Sequence, residues 1–271
     1  LAASKAKEVI DMGYHSLLPI DKLWLLENAN SRESVFSVQF SKEEDQRNGH
    51  PAATSFHMAR GWSDMYPELQ FFKDFPEGPR KEATFVTQIP NRGFAGGKII
   101  TKNPPTIEWS VSQRFHPMYG KFTASEDLTV VGRTMGYRSI EIYRYAEVLL
   151  IYAEAKAASG ALDASALDAL NQVKRRAAGL DPNTPNATVD VFSASVQDII
   201  DEKGWELAGE HKRWFDLVRT ETLESAILKR DPNEQVPLVR QPGKAQYISP
   251  IPAEAIATSK LVQNPQGFKI Q

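Results

Sequence analysis

The stretch that decides the fold runs from residue 138 to residue 219. It reads RSIEIYRYAEVLLIYAEAKAASG (138–160), ALDASALDALNQVKRRAAGL (161–180) and, after the connector DPNTPNATVDVF (181–192), SASVQDIIDEKGWELAGEHKRWFDLVR (193–219). Apolar residues recur through each of the three segments at intervals of three and four, which predicts three helices. Gly160 and Gly179 end the first two segments, and Ser193 is a candidate N-cap for the third.

The first of these helices is apolar around most of its circumference. Leu149 and Ala153 lie on one face at helical spacing, and Tyr143, Val148 and Tyr152 cover the other sides. A helix that is apolar nearly all round is buried among other elements. We therefore expect this helix to be the centre of the fold and to form a hairpin with the second one, as in a TPR-like pair at 140–158 and 163–178.

Five segments resemble a known family. They are YRYAEVLLIYAEAKAASG (143–160), LDALNQVKRRAAGL (167–180), IIDEKGWELAGEHKRWFDLVR (199–219), YISPIPAEAI (247–256) and QNPQGF (263–268). In this order they closely resemble the C-terminal signature of the SusD/RagB family, surface glycan- and nutrient-binding lipoproteins of the Gram-negative outer membrane. Two positions depart from the family pattern: Lys203 stands where arginine is expected, and Gln266 interrupts an Asn-Pro-Gly turn.

The resemblance implies a fold and a function. The expected fold is mainly α and SusD-like, with TPR-like helical hairpins, a large irregular loop layer and a few short β-strands. The expected function is non-catalytic binding of an oligosaccharide or other small nutrient at the outward-facing surface of the outer membrane. SusD-like proteins act as a lid over a SusC-like TonB-dependent transporter, so delivery of the nutrient to such a transporter is expected as well.

The resemblance also implies how the chain is organised. We expect a single SusD-like domain over 1–271 that lacks its N-terminal part, because LAASKAKEVIDMG at the start has helical spacing without a cap. A full member would carry a signal peptide, a lipidated cysteine and further helices upstream, so the lipid anchor would lie outside this chain. The expected parts are a helix at 1–12, a loop-rich aromatic region at 42–137, a helical core at 138–220 and an irregular tail at 221–271.

Shorter patterns predict a few additional elements. Asp21–Asn28 is a candidate short helix with Trp24 and Leu25 buried, and the alternation over Ser34–Phe40 is typical of a strand. Two further strand-like pieces occur at 83–89 and 107–111.

Composition excludes several classes of function. Lys and Arg number 32 against 34 Asp and Glu, and they are interspersed, so the basic stripe of a nucleic-acid-binding protein is missing. No cysteine is present, which excludes disulfides, cysteine-based zinc sites and thiol catalysis. His50 and His57 have neither metal-ligand spacing nor acidic neighbours, so we expect no metal and no cofactor.

The candidate ligand site lies in the irregular region between the helical blocks. Residues 61–137 are rich in Gly and Pro and carry aromatic residues at irregular spacing. A small-ligand pocket usually combines an apolar wall with a few placed polar groups, and an aromatic face can stack on a sugar ring. From the wider aromatic set, which includes Phe94, Phe115 and Tyr119, we predict that Trp62, Tyr66 and Trp109 contact ligand. Asn91 and Arg114 are the predicted polar partners. The alternative is that these aromatics anchor loops onto the helices.

Two other classes of function remain open. A glycoside hydrolase needs a pair of carboxylates flanking a cleft, and Glu202, Glu206 and Glu210 would line one face of the third helix. Because Lys203 and Arg213 are within helical reach, we expect a structural ion-pair cluster instead.

The other class is a TPR-type scaffold that binds a peptide in its groove. It would need several regular repeats, and the chain shows one helix pair. Trp205, Trp214 and Phe215 are spaced with aliphatic residues, so we expect them in the core and not at a binding surface.

Overall fold

The structure is a computed structural model that describes residues 1–41, 43–46, 64–121, 137–234, 238, 243–244 and 247–263. Within these ranges the helices are α1 (Ala2–Asp11), α2 (Ile20–Leu23), α3 (Leu69–Asp74), α4 (Pro79–Thr84), α5 (Tyr145–Ala158), α6 (Ala164–Ala177), α7 (Val196–Glu206), α8 (Arg213–Arg219), α9 (Leu223–Leu228) and α10 (Ala253–Thr258). Short 3₁₀ helices lie at Leu26–Asn28 and Trp109–Val111. None of the helices in this part of the chain is long and apolar enough to cross a membrane.

The strands pair two by two. They are β1 (Ser34–Val38), β2 (Phe85–Val86), β3 (Gln88–Ala95), β4 (Lys98–Glu108), β5 (Met118–Tyr119) and β6 (Ile140–Arg144). The antiparallel pairs are β1 with β6, β2 with β5 and β3 with β4. The mainly α architecture predicted from the sequence is therefore confirmed.

Helix α5 is the centre of the helical core, as its pattern predicts. Ala146, Leu149, Leu150 and Ala153 are completely buried. Helices α1, α6 and α7 pack around it, so each side of α5 meets another element. The connection between α5 and α6 turns at Gly160, whose φ of 68° is in the left-handed region that favours glycine.

The prediction that residues 140–144 begin this helix is wrong, because they form strand β6. The strand predicted at Ser34–Phe40 is present as β1 and supplies the hydrogen-bonding partner, with Phe36 opposite Tyr143 and Val38 opposite Ile140. Pairing with a strand a hundred residues away overrides the local helical spacing. As a result, Tyr143 is on the sheet and half exposed.

The third predicted helix is two helices. Helix α7 ends at Glu206 and α8 begins at Arg213, and between them Gly209 and His211 have φ values of 78° and 61°. The N-cap is Ser195 and not Ser193: its side chain accepts from the Asp198 N–H, and the Asp198 carboxylate accepts from the Ser195 N–H. This reciprocal capping box is visible in the sequence as S-x-x-D.

The break between α7 and α8 also overturns the prediction that all three aromatics of this segment are core residues. Trp205 is partly buried against a cluster of phenylalanines. Trp214 and Phe215 lie beyond the break and are 46% and 68% exposed. Once the helix is interrupted, spacing counted along one continuous helix no longer tells which way the later residues face.

The aromatic region at 42–137 is more regular than predicted. Strands β3 and β4 form a long hairpin, and α3 and α4 precede it. The turn is made by Gly96 and Gly97, which both have positive φ as a two-residue hairpin turn requires. That Gly-Gly signal is present in the sequence and was missed. The tail likewise contains α9 and α10.

Candidate functional site

A surface groove lies between the aromatic region and the segment that follows α9. It has a volume of about 460 Å³ and is lined by Leu69, Lys73, Trp109, Ser110, Phe115 and Asn233. This is within the size range of small-ligand pockets. We refer to these six residues as the groove.

Trp109 is held firmly at the wall of the groove. It follows the last residue of β4, its N–H donates to the Thr87 carbonyl at 2.9 Å, and its own carbonyl accepts from the Ser112 hydroxyl at 2.7 Å. Its ring packs edge-on against Phe72, with the ring centroids 5.5 Å apart. The indole is half-buried, so one part of it is fixed in the protein while the other faces the groove.

Phe115 is the second aromatic of the groove and is 50% exposed. Its φ is 56°, in the left-handed region that a bulky side chain rarely adopts. Its N–H donates to the Ser112 carbonyl at 3.2 Å, which closes a tight turn after the 3₁₀ helix. An unfavourable backbone conformation that keeps an apolar ring in solvent is a pattern found at functional sites.

The polar side of the groove is charge-balanced. The ammonium group of Lys73 forms an ion pair with Asp231, whose carboxylate also accepts from the Asn233 N–H at 2.7 Å. The Asp231 N–H in turn donates to Glu68 at 2.8 Å. Hydrogen bonds from Lys73 and from the Asn233 N–H hold the pKa of Asp231 below its usual range. The groove therefore presents aromatic surface and hydrogen-bonding groups without a net charge from this pair.

Behind the groove lies a buried histidine. His116 is 1% exposed, and the Tyr66 ring lies against it with centroids 4.2 Å apart. Its Nε2 is 3.1 Å from a carboxylate oxygen of Glu234, and its Nδ1 is 2.7 Å from the carbonyl oxygen of Arg114. The other Glu234 oxygen accepts from the Leu69 N–H at 2.9 Å.

The residues predicted to bind ligand are only partly brought together. Trp109 lines the groove, and Tyr66 lies behind it in the same apolar cluster. Asn91 is on the β3–β4 hairpin, where its side-chain amide donates to the Pro104 carbonyl at 2.8 Å. Arg114 is exposed beside Phe115, and Trp62 lies outside the described residues. Their contact with a ligand stays a prediction.

Several groove residues were missed. Leu69, Lys73 and Ser110 are unremarkable in sequence, and Asn233 lies more than 90 positions after the end of the aromatic region. Phe115 was in the wider aromatic set but was not selected. Sequence offers no signal for Asn233, because only the fold brings its segment against α3.

The three glutamates that suggested a hydrolase belong to a buried ion network. Its members are Glu33, Arg80, Lys121, Arg144, Arg176, Glu202, Glu206 and Glu210, four carboxylates and four cations, all buried. Glu206 pairs with Arg176 and, at 2.6 Å, with Arg144. Burial alone would raise the pKa of Glu206, but Arg176, Arg144 and Arg80 outweigh it and hold the pKa well below its usual range.

The ion-pair cluster is present, but its predicted partners are wrong. Glu210 lies beyond the end of α7 and is held by both Arg144, at 2.7 Å, and Lys121, at 2.8 Å. Lys203 instead pairs with Asp216 at 3.0 Å, and Arg213 donates to the Ile200 carbonyl. The carboxylates are buried and face inward onto distant arginines; Glu210 also lines a small cavity of about 40 Å³ with Glu33 and Arg144.

In the ranges that the structure describes, no three His, Asp or Glu side chains are grouped so that they could hold a metal ion.

Comparison with known proteins places the chain in a family. The model of the SusD family matches residues 99–267, more than half of the sequence. SusD-like protein P2 of Formosa agariphila is 33% identical over 215 residues, which are 77% of this chain and 41% of that protein.

Two solved structures are also similar. A SusD superfamily protein from Parabacteroides distasonis is 25% identical, with a TM-score of 0.70 over 97% of this chain and 56% of the other. Surface glycan-binding protein A from Bacteroides thetaiotaomicron, solved in complex with laminarihexaose, is 19% identical, with a TM-score of 0.66 over 98% of this chain and 59% of the other. The chain thus spans between two fifths and three fifths of the length of these relatives. On the evidence of the family model and of this relative from Formosa, the chain belongs to the SusD family.

Proposed function

We propose that this chain binds an oligosaccharide in the groove, without catalysing a reaction on it. The observation that carries the proposal is that two aromatic residues, Trp109 and Phe115, line one groove with the hydrogen-bonding groups of Lys73, Ser110 and Asn233. An aromatic wall with a few polar groups is the arrangement that holds a sugar ring by its apolar face and its hydroxyls.

The family relationship supports this choice of ligand. One of the similar structures is a surface glycan-binding protein in complex with laminarihexaose, and another is described as a laminarin-binding SusD-like protein. For this chain we extend the proposal to a place at the outward-facing surface of the outer membrane. There it is held by a lipid anchor and delivers glycan to a SusC-like TonB-dependent transporter. We further propose that residues 1–271 act as one domain.

The ion network supports a binding role over hydrolysis. A glycosidic general acid must be accessible and must hold a proton near neutral pH. Glu206 is fully buried, and its depressed pKa keeps it ionised. A hydrolase would have to use carboxylates other than the three on and after α7.

The experiment is glycan binding measured by calorimetry on the wild type and on Trp109→Ala and Phe115→Ala, with laminarihexaose and a panel of other soluble oligosaccharides. Each groove variant should weaken binding by roughly tenfold or more, because stacking contributes about 1–3 kcal/mol per ring. The matched control is Phe215→Ala, which removes an exposed ring outside the groove. The melting temperature should stay close to that of the wild type for Phe115→Ala and Phe215→Ala, whereas Trp109→Ala should lower it, because the Trp109 ring also packs against Phe72.

Reducing-sugar release is measured on the same samples. Binding that is lost in the groove variants, kept in the control and accompanied by no sugar release supports the proposal. Turnover of a glycan would replace it with a hydrolase. If both groove variants bind glycan with the affinity of the wild type, the binding site lies outside the groove.

A further inference from the structure

We propose that His116 is a positioning residue that holds the groove in its glycan-binding form only while both of its ring nitrogens carry a proton, so that affinity falls as pH rises and one of these protons is lost. This inference rests on the function proposed above and adds a residue and a pH dependence to it.

The first step is the hydrogen bonding of the ring. The Nδ1 atom is 2.7 Å from a backbone carbonyl oxygen, that of Arg114, and such an oxygen can only accept. The Nε2 atom is 3.1 Å from the Glu234 carboxylate. A neutral imidazole has one donor nitrogen and one acceptor nitrogen, so it cannot satisfy two acceptors at once. The geometry therefore requires an additional proton on the His116–Glu234 pair.

The second step decides where that proton is. The Glu234 carboxylate also accepts from the Leu69 N–H at 2.9 Å and from Arg230 at 3.4 Å, and both contacts favour its ionised form. Burial alone would raise the pKa of Glu234, but the Leu69 N–H and His116 outweigh it and keep the pKa below its usual range. The pair is thus an imidazolium beside a carboxylate, with the protein surrounding the ring almost completely.

The third step connects the ring to the groove. Both residues that flank Phe115 are tied by this imidazole: His116 carries it, and the Arg114 carbonyl accepts from it. Through Glu234 the ring also fixes the N–H of Leu69 and the segment that carries Asn233. Loss of the proton breaks one of the two bonds and releases either the turn that holds Phe115 in its left-handed conformation or the link to the opposite wall.

The surroundings set the sign of the effect. Among the residues that the structure describes, the titratable and charged groups that face the ring are Glu234 and Arg230 from the segment after α9, Tyr66 from the segment before α3, and Arg114 from its own segment. Because the two hydrogen bonds need a proton on each ring nitrogen, the two-bond arrangement is complete at low pH and is lost as pH rises.

The first test reads the ring directly. Nitrogen NMR on ¹⁵N-histidine-labelled protein reports whether each ring nitrogen carries a proton, and the His116 signals are identified by their loss in His116→Gln. We expect both nitrogens to be protonated at the acidic end and one to lose its proton at the basic end. The amide signals of Ser110, Phe115 and Asn233 should shift with the same midpoint.

The second test uses Glu234→Gln. The amide oxygen of the new side chain can still accept from the Leu69 N–H, and its NH₂ group can donate to Nε2 of a neutral ring whose Nδ1–H donates to Arg114. Both bonds then survive without the additional proton. We expect laminarihexaose affinity to fall at least about threefold between the acidic and basic ends in the wild type, and to be independent of pH in this variant.

Three results overturn the proposal or its premise. If the wild-type ring is neutral at both the acidic and the basic end of the pH series, the imidazolium is not present and the proposal is wrong. This result does not depend on whether His116→Gln folds. If the ring loses a proton but the groove amide signals do not shift with it, His116 has only a structural role. If ring and groove titrate together but no oligosaccharide binds at either end, the proposed function is wrong, and the affinity claim is wrong with it.

Discussion

Glu206 is an example of how the surroundings of one side chain decide its role. In sequence it is the middle one of three carboxylates at helical spacing. In the fold it is completely buried, contacts Arg144 at 2.6 Å and Arg80 at 3.3 Å, and pairs with Arg176. Its neighbours come from three other parts of the chain. A residue that resembles a candidate catalytic acid in the sequence instead supplies the negative charge that allows three arginines to be buried.

Replacement of Glu206 should therefore affect stability and not chemistry. Glu206→Gln leaves buried arginines without their counter-charge, and breaking a buried pair in this way costs about 3–5 kcal/mol of unfolding free energy. Urea unfolding measures the loss. The control is Asp201→Asn on the same helix, which weakens a partly exposed pair with Arg213 at 3.5 Å and an exposed hydrogen bond from Gln197, and should cost less than about 1 kcal/mol. Equal, small effects of both changes would show that the network does not stabilise the fold.

At the scale of single elements, α7 is defined by its two ends more than by its middle. Its apolar spacing continues past Glu206 in the sequence, yet the helix stops there and the chain turns through Gly209. At the other end the capping box of Ser195 and Asp198 satisfies N–H groups that would otherwise lack partners.

The position of the cap gives a matched pair of variants. Ser195→Ala removes the side chain that accepts from the Asp198 N–H and should lower the unfolding free energy by about 1 kcal/mol. Ser193→Ala, two residues earlier, should be nearly neutral. Thermal melting of both variants beside the wild type tests the assignment. A larger loss from Ser193→Ala would mean that α7 begins earlier than the structure shows.

For the whole molecule, the buried carboxylates predict acid sensitivity. Burial alone would raise the pKa of both Glu206 and Glu210, but neighbouring cations outweigh it and lower the pKa: three arginines and Lys121 at Glu206, and Arg144 with Lys121 at Glu210. A carboxyl whose pKa is lower in the folded state adds stability that is complete above its unfolded value and is lost as pH falls through the folded one. Glu141 and Glu147 have raised pKa values, mainly through burial, and act in the opposite direction.

Glu206 and Glu210 are each held by at least two buried cations, so we expect the effect of the network to prevail. The melting temperature should fall progressively below about pH 4.5, near the ordinary pKa of glutamate. Calorimetric scans at intervals from neutral to acid pH measure this. Glu206→Gln should show a shallower decline, since it has one such carboxyl fewer. A melting temperature that stays level down to about pH 3 would indicate that protonation of the network does not change the free energy of unfolding.

The sequence by itself determined the helical core. The spacing of Leu149 and Ala153 and the stop at Gly160 are local signals, and local signals suffice for a helix whose hydrogen bonds all lie within it. It also placed strand β1 and concentrated the aromatic residues in the middle of the chain. The family was already recognisable from five short segments, because those segments encode the packing of the core.

Only the tertiary structure decided the rest. Residues 140–144 became a strand because β1 was there to pair with them. Glu206 has a partner 126 positions away in the sequence, and Glu210 has one 89 positions away. Lys73 pairs with Asp231, which lies 158 positions further along the chain. Spacing along a chain predicts neighbours within one element, whereas ion pairs and grooves join elements whose approach depends on the packing of the whole. The groove is of this second kind: one wall comes from the aromatic region, the other from a segment after α9, and they meet only in the folded protein.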